Sequence, residues 1–376
     1  MDLALSENEE RLRQEARLFV RQEAPKDVLL ALEETETGYT PELWDKMIKT
    51  GWPGAIIPAP YGGVGGPLTS AAVLFEELGR GPLPGPYFSS CILGSLILLQ
   101  AGSEEQKRGL LPGIAKGKQA LCLALAEAEY GWTPESVQMT ARSRQGAFVL
   151  NGVKLFVHDA QAATHIICVA RSGQSGTPTE GITLFLVDRS SPGVSVRHLS
   201  GFLGWCYEVE FNSVRVPASA VLGEVGGGWQ PLQEAIEKAI PVLSAYQVGG
   251  CQAVFEMSVA HSQSRVQFGQ PIGRFQRIQD HIVDIVNNLD AARWTTYEAL
   301  WKLDTGRPAT ESVHLAKAVS SQAYVQACTS AHHVHGGIGY SRGFGLTLHT
   351  RMSRSLYHQL GDPHHHRRCL AHLLGF

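Results

Sequence analysis

The sequence lacks the cysteine spacing of a disulfide framework or a zinc site. Its seven cysteines are scattered along 376 residues, and none of them forms a CxxC pair. An odd, scattered set of cysteines is typical of free thiols in a reducing compartment. The three adjacent histidines at 364–366 do not alter this interpretation, because neighbouring helical residues point in different directions and no Cys or Asp cluster accompanies them. We therefore predict no metal site.

Basic runs and long hydrophobic segments are also missing. The formal net charge is −3 and the Lys and Arg residues are dispersed, which argues against a surface for nucleic acid or an anionic membrane. The most apolar stretch, residues 91–99, is too short to span a bilayer and predicts a buried helix. Residues 1–10 lack the basic and apolar regions of a signal peptide. We expect a cytoplasmic protein with neither a nucleic-acid nor a membrane partner.

The first part of the chain has the pattern of helices. Ser6 and Glu9 have the spacing of a capping box, and apolar residues then recur at helical intervals. Further helices are predicted at residues 42–48, 68–78 and 91–100. The Gly-Gly-Val-Gly-Gly segment at 62–66 follows no clear strand and precedes Pro67, so we interpret it as a structural loop and not as a phosphate-binding loop.

The middle of the chain has the pattern of strands. Short runs rich in Val, Ile and Phe occur at residues 121–127, 148–150, 153–157, 165–170, 182–187 and 208–211. Asn151-Gly152 separates two of these runs, and this pair is a strong signal for a β-hairpin with a type I′ turn. We therefore predict a hairpin centred on Asn151.

Helical periodicity returns after Gly228. A long amphipathic helix is predicted from about residue 282 to 303, with Gly306 just past its end, and another from about 311 to 332. The chain thus belongs to the α+β class, and we predict domain boundaries at 1–120, 121–224 and 225–376.

Several motifs resemble those of one enzyme family. Residues 265–276 match R-x-x-F-G-x-x-I-x-x-F-Q, and residues 335–340 match H-G-G-x-G-Y, with Ala316-Lys317 at the expected distance before them. The segments 151–154, 216–217 and 222–224 resemble parts of the middle domain of the same family. Over nearly its whole length the chain resembles the acyl-CoA dehydrogenases. The resemblance implies an N-terminal helical domain, a middle antiparallel β domain and a C-terminal four-helix bundle.

The resemblance also implies a site for FAD that crosses a subunit interface. The cofactor-binding residues that it implies are Arg265, Gln267, Phe268, Gln276, His333, Gly336 and Gly337. Arginine offers a rigid fork of donors for a pyrophosphate, and Phe268 offers a face for adenine. The glycine pair lets backbone amides approach phosphate without a Cβ in the way. His333 departs from the glutamine that the family often has there.

The half of the site that would hold the flavin ring departs further from the family pattern. Where the family has L-T-E-P-x-x-G-S-D, residues 125–133 have Ala126 for the threonine and Trp132-Thr133 for the Ser-Asp pair. Where the family has W-I-T-N, this chain has Phe156-Val-His158-Asp159. Three ring-side positions have therefore lost their usual chemistry.

The carboxylate that removes the α-proton in this family is also missing. The resemblance places this base at Leu360, and leucine cannot accept a proton. Some relatives carry the glutamate on an earlier helix, but that position aligns with Ala239, followed by Ile240 where an arginine is common. Asp362 is a weak substitute, because Asp362-Pro363 is more simply a turn. Glu237 is better interpreted as an exposed helical residue.

Three functions are consistent with these residues. The first is a partner subunit that completes the FAD site of a catalytic chain in a heterotetramer, as relatives acting on steroid side chains do. The second is a self-sufficient acyl-CoA dehydrogenase with Asp362 as a displaced base. The third is a flavin-dependent monooxygenase on the same fold. The resemblance implies α,β-desaturation of an acyl-CoA thioester, FAD as cofactor, and two partners: a second acyl-CoA dehydrogenase-like subunit and an electron-transfer flavoprotein.

Overall fold

The computed structural model describes residues 4–129, 131–173, 176–201 and 204–376. Helices form both ends of the chain and a β-sheet forms its middle, in the order that the sequence predicts. The N-terminal helices are α1 (Glu7–Glu23), α2 (Lys26–Leu32), α3 (Pro41–Lys49), α4 (Leu68–Arg80), α5 (Ser95–Ala101) and α6 (Glu104–Ala115). The predicted capping box begins α1, since the Glu9 amide donates to Ser6 Oγ and the Ser6 amide donates to the Glu9 carboxylate at 2.8 Å.

The apolar stretch at 91–99 is buried, as predicted. Its first part belongs to a π-helical segment, Tyr87–Gly94, which leads directly into α5. The glycine-rich segment at 62–66 packs closely against the backbone before it. A Cβ on Gly63 would lie 2.0 Å from the Ile57 carbonyl oxygen, so glycine is required there by close packing. This supports the structural interpretation of the loop.

A mixed eight-stranded sheet forms the middle of the chain. Its strands are β1 (Leu121–Ala124), β2 (Thr140–Arg144), β3 (Ala147–His158), β4 (His165–Arg171), β5 (Ile182–Asp188), β6 (Val194–His198), β7 (Cys206–Pro217) and β8 (Val221–Leu222). The strand order is β6-β7-β3-β2-β4-β5-β8, and β1 pairs with β4. Most pairs are antiparallel, but β1 runs parallel to β4, and one parallel residue pair joins β2 to β4.

The prediction of a hairpin at Asn151-Gly152 is wrong. Strand β3 runs through both residues, and its pairing with β7 shifts register between Leu150 and Gly152. Asn151 Oδ1 accepts a hydrogen bond from the Ser213 amide at 2.8 Å, so its polar side chain bridges two strands at a bulge. The turn between β2 and β3 lies at Gln145 and Gly146, which have φ values of 50° and 73°.

The C-terminal part packs long helices into a bundle. Its elements are α7 (Trp229–Ser264), the short strands β9 (Val266–Gln267) and β10 (Gln270–Pro271), and helices α8 (Gln276–Asp304), α9 (Thr310–His335), α10 (Leu346–His358) and α11 (Pro363–Leu373). Gly306 follows the end of α8 with φ of 66°, and the amides of Gly306 and Arg307 donate to the Leu303 and Lys302 carbonyls. This Schellman arrangement confirms the predicted helix end.

One hydrophobic cluster joins the helices of both ends, and a second fills the interior of the sheet. Among the described residues, every helix is too short or too polar to cross a membrane.

A buried lysine ties the segment after β1 to strand β3. Lys154 is fully buried, and its Nζ donates to the Leu125 carbonyl at 3.0 Å and to Glu127 Oε1 at 2.6 Å. The Glu127 carboxylate also accepts the amides of Gln138 and Met139 at 3.1 Å and 3.0 Å. Both charges are therefore paired and hydrogen-bonded, which is the condition for burying them.

We predict that Lys154→Met lowers the free energy of unfolding by about 3 kcal/mol, because it leaves the Glu127 carboxylate without its cationic partner. Chemical denaturation measures this change. Lys118→Met alters an exposed lysine near the start of β1 and serves as the control, with an expected change within about 0.5 kcal/mol. Equal stabilities of the two variants would contradict the role given to Lys154.

Candidate active site

A cavity of about 320 Å³ lies between the sheet and the end of α10. Its walls include Trp132, Phe156, His158, Ser355, His358 and Gln359. Phe156 and His158 come from the end of β3, whereas Ser355, His358 and Gln359 come from α10 and the residue after it. The cavity thus lies where the sequence resemblance expects a flavin ring.

A distortion of β3 presents these side chains. Pairing with β7 shifts register between Lys154 and Val157, and Phe156 has φ of 54°, which is uncommon for an aromatic residue. The Leu155 amide donates to the Ala126 carbonyl at 2.9 Å and holds the distorted segment against the chain after β1. Such strain persists where the surroundings over-determine the backbone, and it is concentrated at functional sites. Within the segment 125–133, which was compared with the family pattern above, Tyr130 lies outside the described residues.

His158 is enclosed by protein yet keeps part of its ring against the cavity. Burial, and then the charge of Lys317, lowers its pKa to about 4. Its ring nitrogens both lie 3.6 Å from Cys206 Sγ. At neutral pH this imidazole is uncharged, so it can exchange hydrogen bonds with a ligand but contributes no positive charge.

Leu360 lies in the short connection between α10 and α11, at the position where a base is expected. It is 3% exposed, and its side chain lines a small apolar cavity beside Leu93, Leu123 and Leu125. Its φ of 59° is unfavourable for a branched residue, so the connection is held in a specific shape. This position therefore offers an apolar wall and no proton acceptor.

Two buried histidines hold that connection. His366 Nε2 donates to the Leu360 carbonyl at 2.9 Å, and the His314 and His366 Nδ1 atoms are 2.8 Å apart. Because His366 uses its proton on Nε2, its Nδ1 is the acceptor and His314 Nδ1 is the donor. Burial lowers the pKa of His314 to about 4 and that of His366 to about 2, so both rings are neutral.

The second position expected for a base is also apolar. Ala239 and Ile240 are buried in α7. Glu237 is half-buried, and its carboxylate accepts hydrogen bonds from Thr310 Oγ1 at 3.2 Å and from Gln233 Nε2 at 3.3 Å. It takes part in contacts between helices and lines none of the cavities described above.

Asp362 begins α11. Its Oδ1 accepts the His365 amide at 2.7 Å, which is the contact of a helix N-cap. The side chain borders a surface pocket of about 500 Å³ that also contains Thr133, His364 and Arg368. The carboxylate thus has a structural partner, and it lies in a different pocket from Leu360 and Phe156.

The predicted cofactor residues lie on the surface of the C-terminal part. Arg265 follows the end of α7 and directly precedes β9, whereas Gln267 and Phe268 belong to the β9–β10 hairpin, where Phe268 at the turn is 93% exposed. The others are exposed too, at the start of α8 and around the end of α9: Gln276, His333, Gly336 and Gly337. The His333 ring stacks on His281 of α8 at a centroid distance of 4.9 Å. Among the described residues, none of these seven lies in the wall of a cavity described above.

These residues suit the adenosine and pyrophosphate part of FAD. Within the described residues, no carboxylate comes within ion-pair distance of Arg265, so its guanidinium is available to an anion. A Cβ added at Gly336 or Gly337 would meet nothing within 4 Å, and the backbone there is open to a ligand. Because all of them face outward, a cofactor bound to them needs a second surface.

No metal-binding cluster of three or more His, Cys, Asp or Glu side chains occurs in the part of the chain that the structure describes. The adjacent histidines separate as helical residues do: His364 is exposed, whereas His366 is buried against His314.

Sequence reasoning missed one titratable group. Asp159 follows β3, and its carboxylate accepts a hydrogen bond from Ser89 Oγ. Burial raises its pKa to about 7, and the bond from Ser89 offsets part of the rise. The signal was a charged residue at the position of an amide in the W-I-T-N pattern, which the sequence analysis treated as part of a lost ring contact.

Three family models cover most of the chain. They are the N-terminal, middle and C-terminal domains of acyl-CoA dehydrogenase, matched at residues 6–118, 122–214 and 226–374. A curated relative is the caffeyl-CoA reductase–Etf complex subunit CarC of Acetobacterium woodii, 31% identical over 90% of each chain.

Solved structures agree. Butyryl-CoA dehydrogenase of Megasphaera elsdenii superposes with a TM-score of 0.92 at 26% identity, over all of both chains. The structure named Tcur3481-Tcur3483 steroid ACAD superposes with a TM-score of 0.86 at 25% identity, over 98% of both chains. The helix–sheet–helix order, the motifs around Arg265 and Gly336, and these matches show that the chain belongs to the acyl-CoA dehydrogenase family of FAD-dependent oxidoreductases.

Proposed function

We propose that this chain is the partner subunit of a heterotetrameric acyl-CoA dehydrogenase, in which it completes the FAD site of an unlike catalytic subunit. The reaction of the assembly is α,β-desaturation of an acyl-CoA thioester. The observation that carries the proposal is a contrast within one chain. The edge predicted to contact FAD is exposed, whereas Leu360 fills the position expected for the base with a buried apolar side chain.

The exposed edge around Arg265 and Phe268 favours a role in binding the FAD of a neighbouring chain. Phe268 extends from a two-stranded hairpin, and Arg265 at its base lacks an ion-pair partner among the described residues. An aromatic side chain and a guanidinium are suited to an adenine and a pyrophosphate. FAD supplies the hydride-accepting chemistry of the family, and these residues would hold its adenosine half.

The interior favours a chain without its own base. The cavities that Leu360 and Phe156 line have no carboxylate among their described wall residues. Removal of an α-proton requires a carboxylate within reach of the substrate carbon. Leu360 and Ala239 cannot perform this step, which moves the search for the base to a second subunit.

Two relatives support the predicted partners. One solved structure bears a paired name, Tcur3481-Tcur3483, and is described as a steroid acyl-CoA dehydrogenase. The curated relative CarC is named as a subunit of a complex with Etf. We therefore extend the proposal to an electron-transfer flavoprotein as the electron acceptor and to a second acyl-CoA dehydrogenase-like chain as the partner.

The two alternatives have less support. A self-sufficient dehydrogenase needs Asp362 as its base, but that carboxylate caps α11. A flavin-dependent monooxygenase has no separate support among the described residues.

We predict that native mass spectrometry of the chain, co-expressed with a dehydrogenase-like neighbour, detects a heteromer with fewer than one FAD per chain. The shared cofactor edge gives this stoichiometry, because each FAD then uses surfaces from two unlike chains. The chain purified alone is the control. A homomer that retains one FAD per chain and reduces it with substrate would contradict the proposal.

We predict that Arg265→Met weakens FAD binding by the heteromer about 10- to 100-fold, the range for loss of a hydrogen bond to a charged group. Fluorescence titration with FAD measures the affinity. Arg277→Met is the matched control, because Arg277 is also exposed near the hairpin and pairs with Asp280 in its own helix. Equal FAD affinities for the two variants would exclude Arg265 from the site.

We predict that Asp362→Ala lowers the free energy of unfolding by about 1 kcal/mol, because α11 loses its N-cap, whereas Asp362→Asn retains the cap and nearly all of the stability. Chemical denaturation compares the two. Flavin reduction by substrate in the assembly should be the same for Asp362→Asn and the unchanged protein. Its loss in a stably folded Asp362→Asn variant would instead identify Asp362 as a displaced base.

A further inference from the structure

A small cavity of about 70 Å³ adjoins the larger one, and both have Ser355, His158 and Gln359 in their walls. Five aromatic side chains surround it: Phe75, Tyr87, Phe88, Trp205 and Tyr246. Phe75 stacks on Tyr87 with a centroid distance of 4.9 Å and meets Phe88 edge-on at 5.9 Å. The cavity is therefore an aromatic chamber that opens toward the proposed ring site.

The polar groups of this chamber are mostly occupied. The Tyr87 hydroxyl donates to the Trp52 carbonyl at 2.7 Å, and the Tyr246 hydroxyl donates to the Leu83 carbonyl at 3.0 Å. These two rings thus offer their carbon surfaces to the cavity. A ligand would meet π-faces and aliphatic groups, which attract apolar groups and cations.

Asp159 is the acidic side chain in the wall of the chamber. Its carboxylate lines the chamber and accepts a hydrogen bond from Ser89 Oγ, and no cation pairs with it within the described residues. An ionised carboxylate in an apolar site is costly unless it is paired. The unfavourable environment of the ionised form raises the pKa of Asp159 to about 7. A cationic ligand would relieve this cost.

We propose that the aromatic chamber binds an acyl group that carries a protonated amine, with Asp159 as the carboxylate that pairs with the ammonium. The aromatic walls favour the same ligand, because the face of an aromatic ring attracts a cation, and the attraction is stronger when the cation is desolvated. The inference goes beyond the proposed function, since completing a partner's FAD site does not require this chain to bind a ligand in its own cavity.

The position of Asp159 favours recognition of the far end of an acyl group over proton transfer at the thioester. Leu360 marks the expected position of the base, and it lines a different cavity. Ser89 belongs to the wall of that cavity while its hydroxyl reaches Asp159, so the chamber lies one side chain further from the base position. An acyl group entering past Gln359 would reach Asp159 with its distal end.

Two groups in and beside the chamber titrate near neutral pH: Asp159, and Lys317, whose pKa burial lowers to about 7 and whose Nζ donates to the Leu356 carbonyl at 3.0 Å. His158 is neutral, and burial raises the pKa values of Tyr39, Tyr207, Cys122 and Cys206. Arg189 stabilises the ionised forms of Tyr39 and Cys122, but the causes of the pKa shift at Asp159 are burial and the bond from Ser89. Of these two groups Asp159 is the one that can pair with an ammonium, and its replacement by asparagine separates its titration from that of Lys317.

The test uses thioethers of CoA. They lack the thioester carbonyl that makes the α-proton acidic, so they bind without being desaturated. A series of S-(ω-aminoalkyl)-CoA ligands of increasing length is paired with S-alkyl-CoA ligands in which a methyl group replaces the ammonium. Calorimetric titration of the full chain, in the assembly in which it purifies, measures each dissociation constant. We expect the best amine to bind about 10- to 100-fold more tightly than its methyl match.

The preference should depend on pH in one direction. Between about pH 6 and about pH 8 the ligand amine stays protonated, since an alkylamine titrates near pH 10. Over that window Asp159 loses its proton, so the preference for the amine should rise with pH. The affinity for the methyl ligands should stay constant and serves as the internal measure of a folded site.

Asp159→Asn keeps the size of the side chain and an oxygen for the Ser89 hydroxyl, but it removes the charge. We expect this variant to lose the amine preference and its pH dependence while it binds the methyl ligands as before. Asp188→Asn is the matched control, because Asp188 is the last residue of β5, as Asp159 is the first residue after β3, but Asp188 is exposed. It should retain the preference.

Two results would overturn the inference. One is a failure of the unchanged protein to prefer any amine, which includes failure to bind either ligand series. The other is an amine preference that survives in Asp159→Asn. If Asp159→Asn instead abolishes exchange of the α-proton of an acyl-CoA in heavy water and leaves ligand preference unchanged, Asp159 serves in proton transfer. None of these readouts depends on FAD stoichiometry, so the two proposals fail separately.

Discussion

The buried contact of Lys154 with the segment after β1 determines the shape of the candidate site. Its ammonium reaches both the Leu125 carbonyl and the Glu127 carboxylate, and Glu127 in turn holds the amides of Gln138 and Met139. These bonds join β3 to a segment whose described residues form no strand between β1 and β2. With that segment fixed, β3 can leave its register with β7 and turn Phe156 toward the cavity. Burying an ion pair carries a desolvation penalty, so Lys154 and Glu127 are better explained by the geometry that they fix than by a gain in stability.

Local sequence signals predicted the fold wherever short-range chemistry decides the structure. The Ser6–Glu9 capping box and the Gly306 helix end depend on contacts within a few residues, and both occur as expected. The hairpin at Asn151-Gly152 failed because its competitor is long-range. The side chain of Asn151 bonds to Ser213 on β7, and this tertiary contact makes the pair a bulge instead of a turn. A turn signal cannot reveal a partner that lies so far along the chain.

The candidate site was predictable in its motifs and unpredictable in its interior. Matching of motifs identified Leu360 and the residues around Arg265, since their places are defined by neighbours in sequence. Asp159 was missed because its importance comes from its surroundings, which include Ser89 and Phe75 of distant helical segments. From its position in the motif, Asp159 was interpreted only as the replacement of an asparagine. Its environment gives it a titratable carboxyl group inside an aromatic chamber, and sequence spacing carries no information about such an environment.

The two parts of the site have different physical requirements, and this allows them to change independently. The predicted cofactor edge is an exposed surface, and its proposed role depends on a second chain, so that role does not require a base in this chain. The interior must satisfy its own polar groups in a low dielectric. Leu360 meets that requirement by being apolar, with its carbonyl bonded to neutral His366. Asp159 meets it only in part, because a single hydroxyl cannot compensate an ionised carboxylate. A fully inert interior would more simply contain an amide or an aliphatic side chain at that position. The carboxyl group at this position, where the family pattern has an amide, therefore supports the proposal that the chamber binds a ligand of its own, whichever chain performs the oxidation.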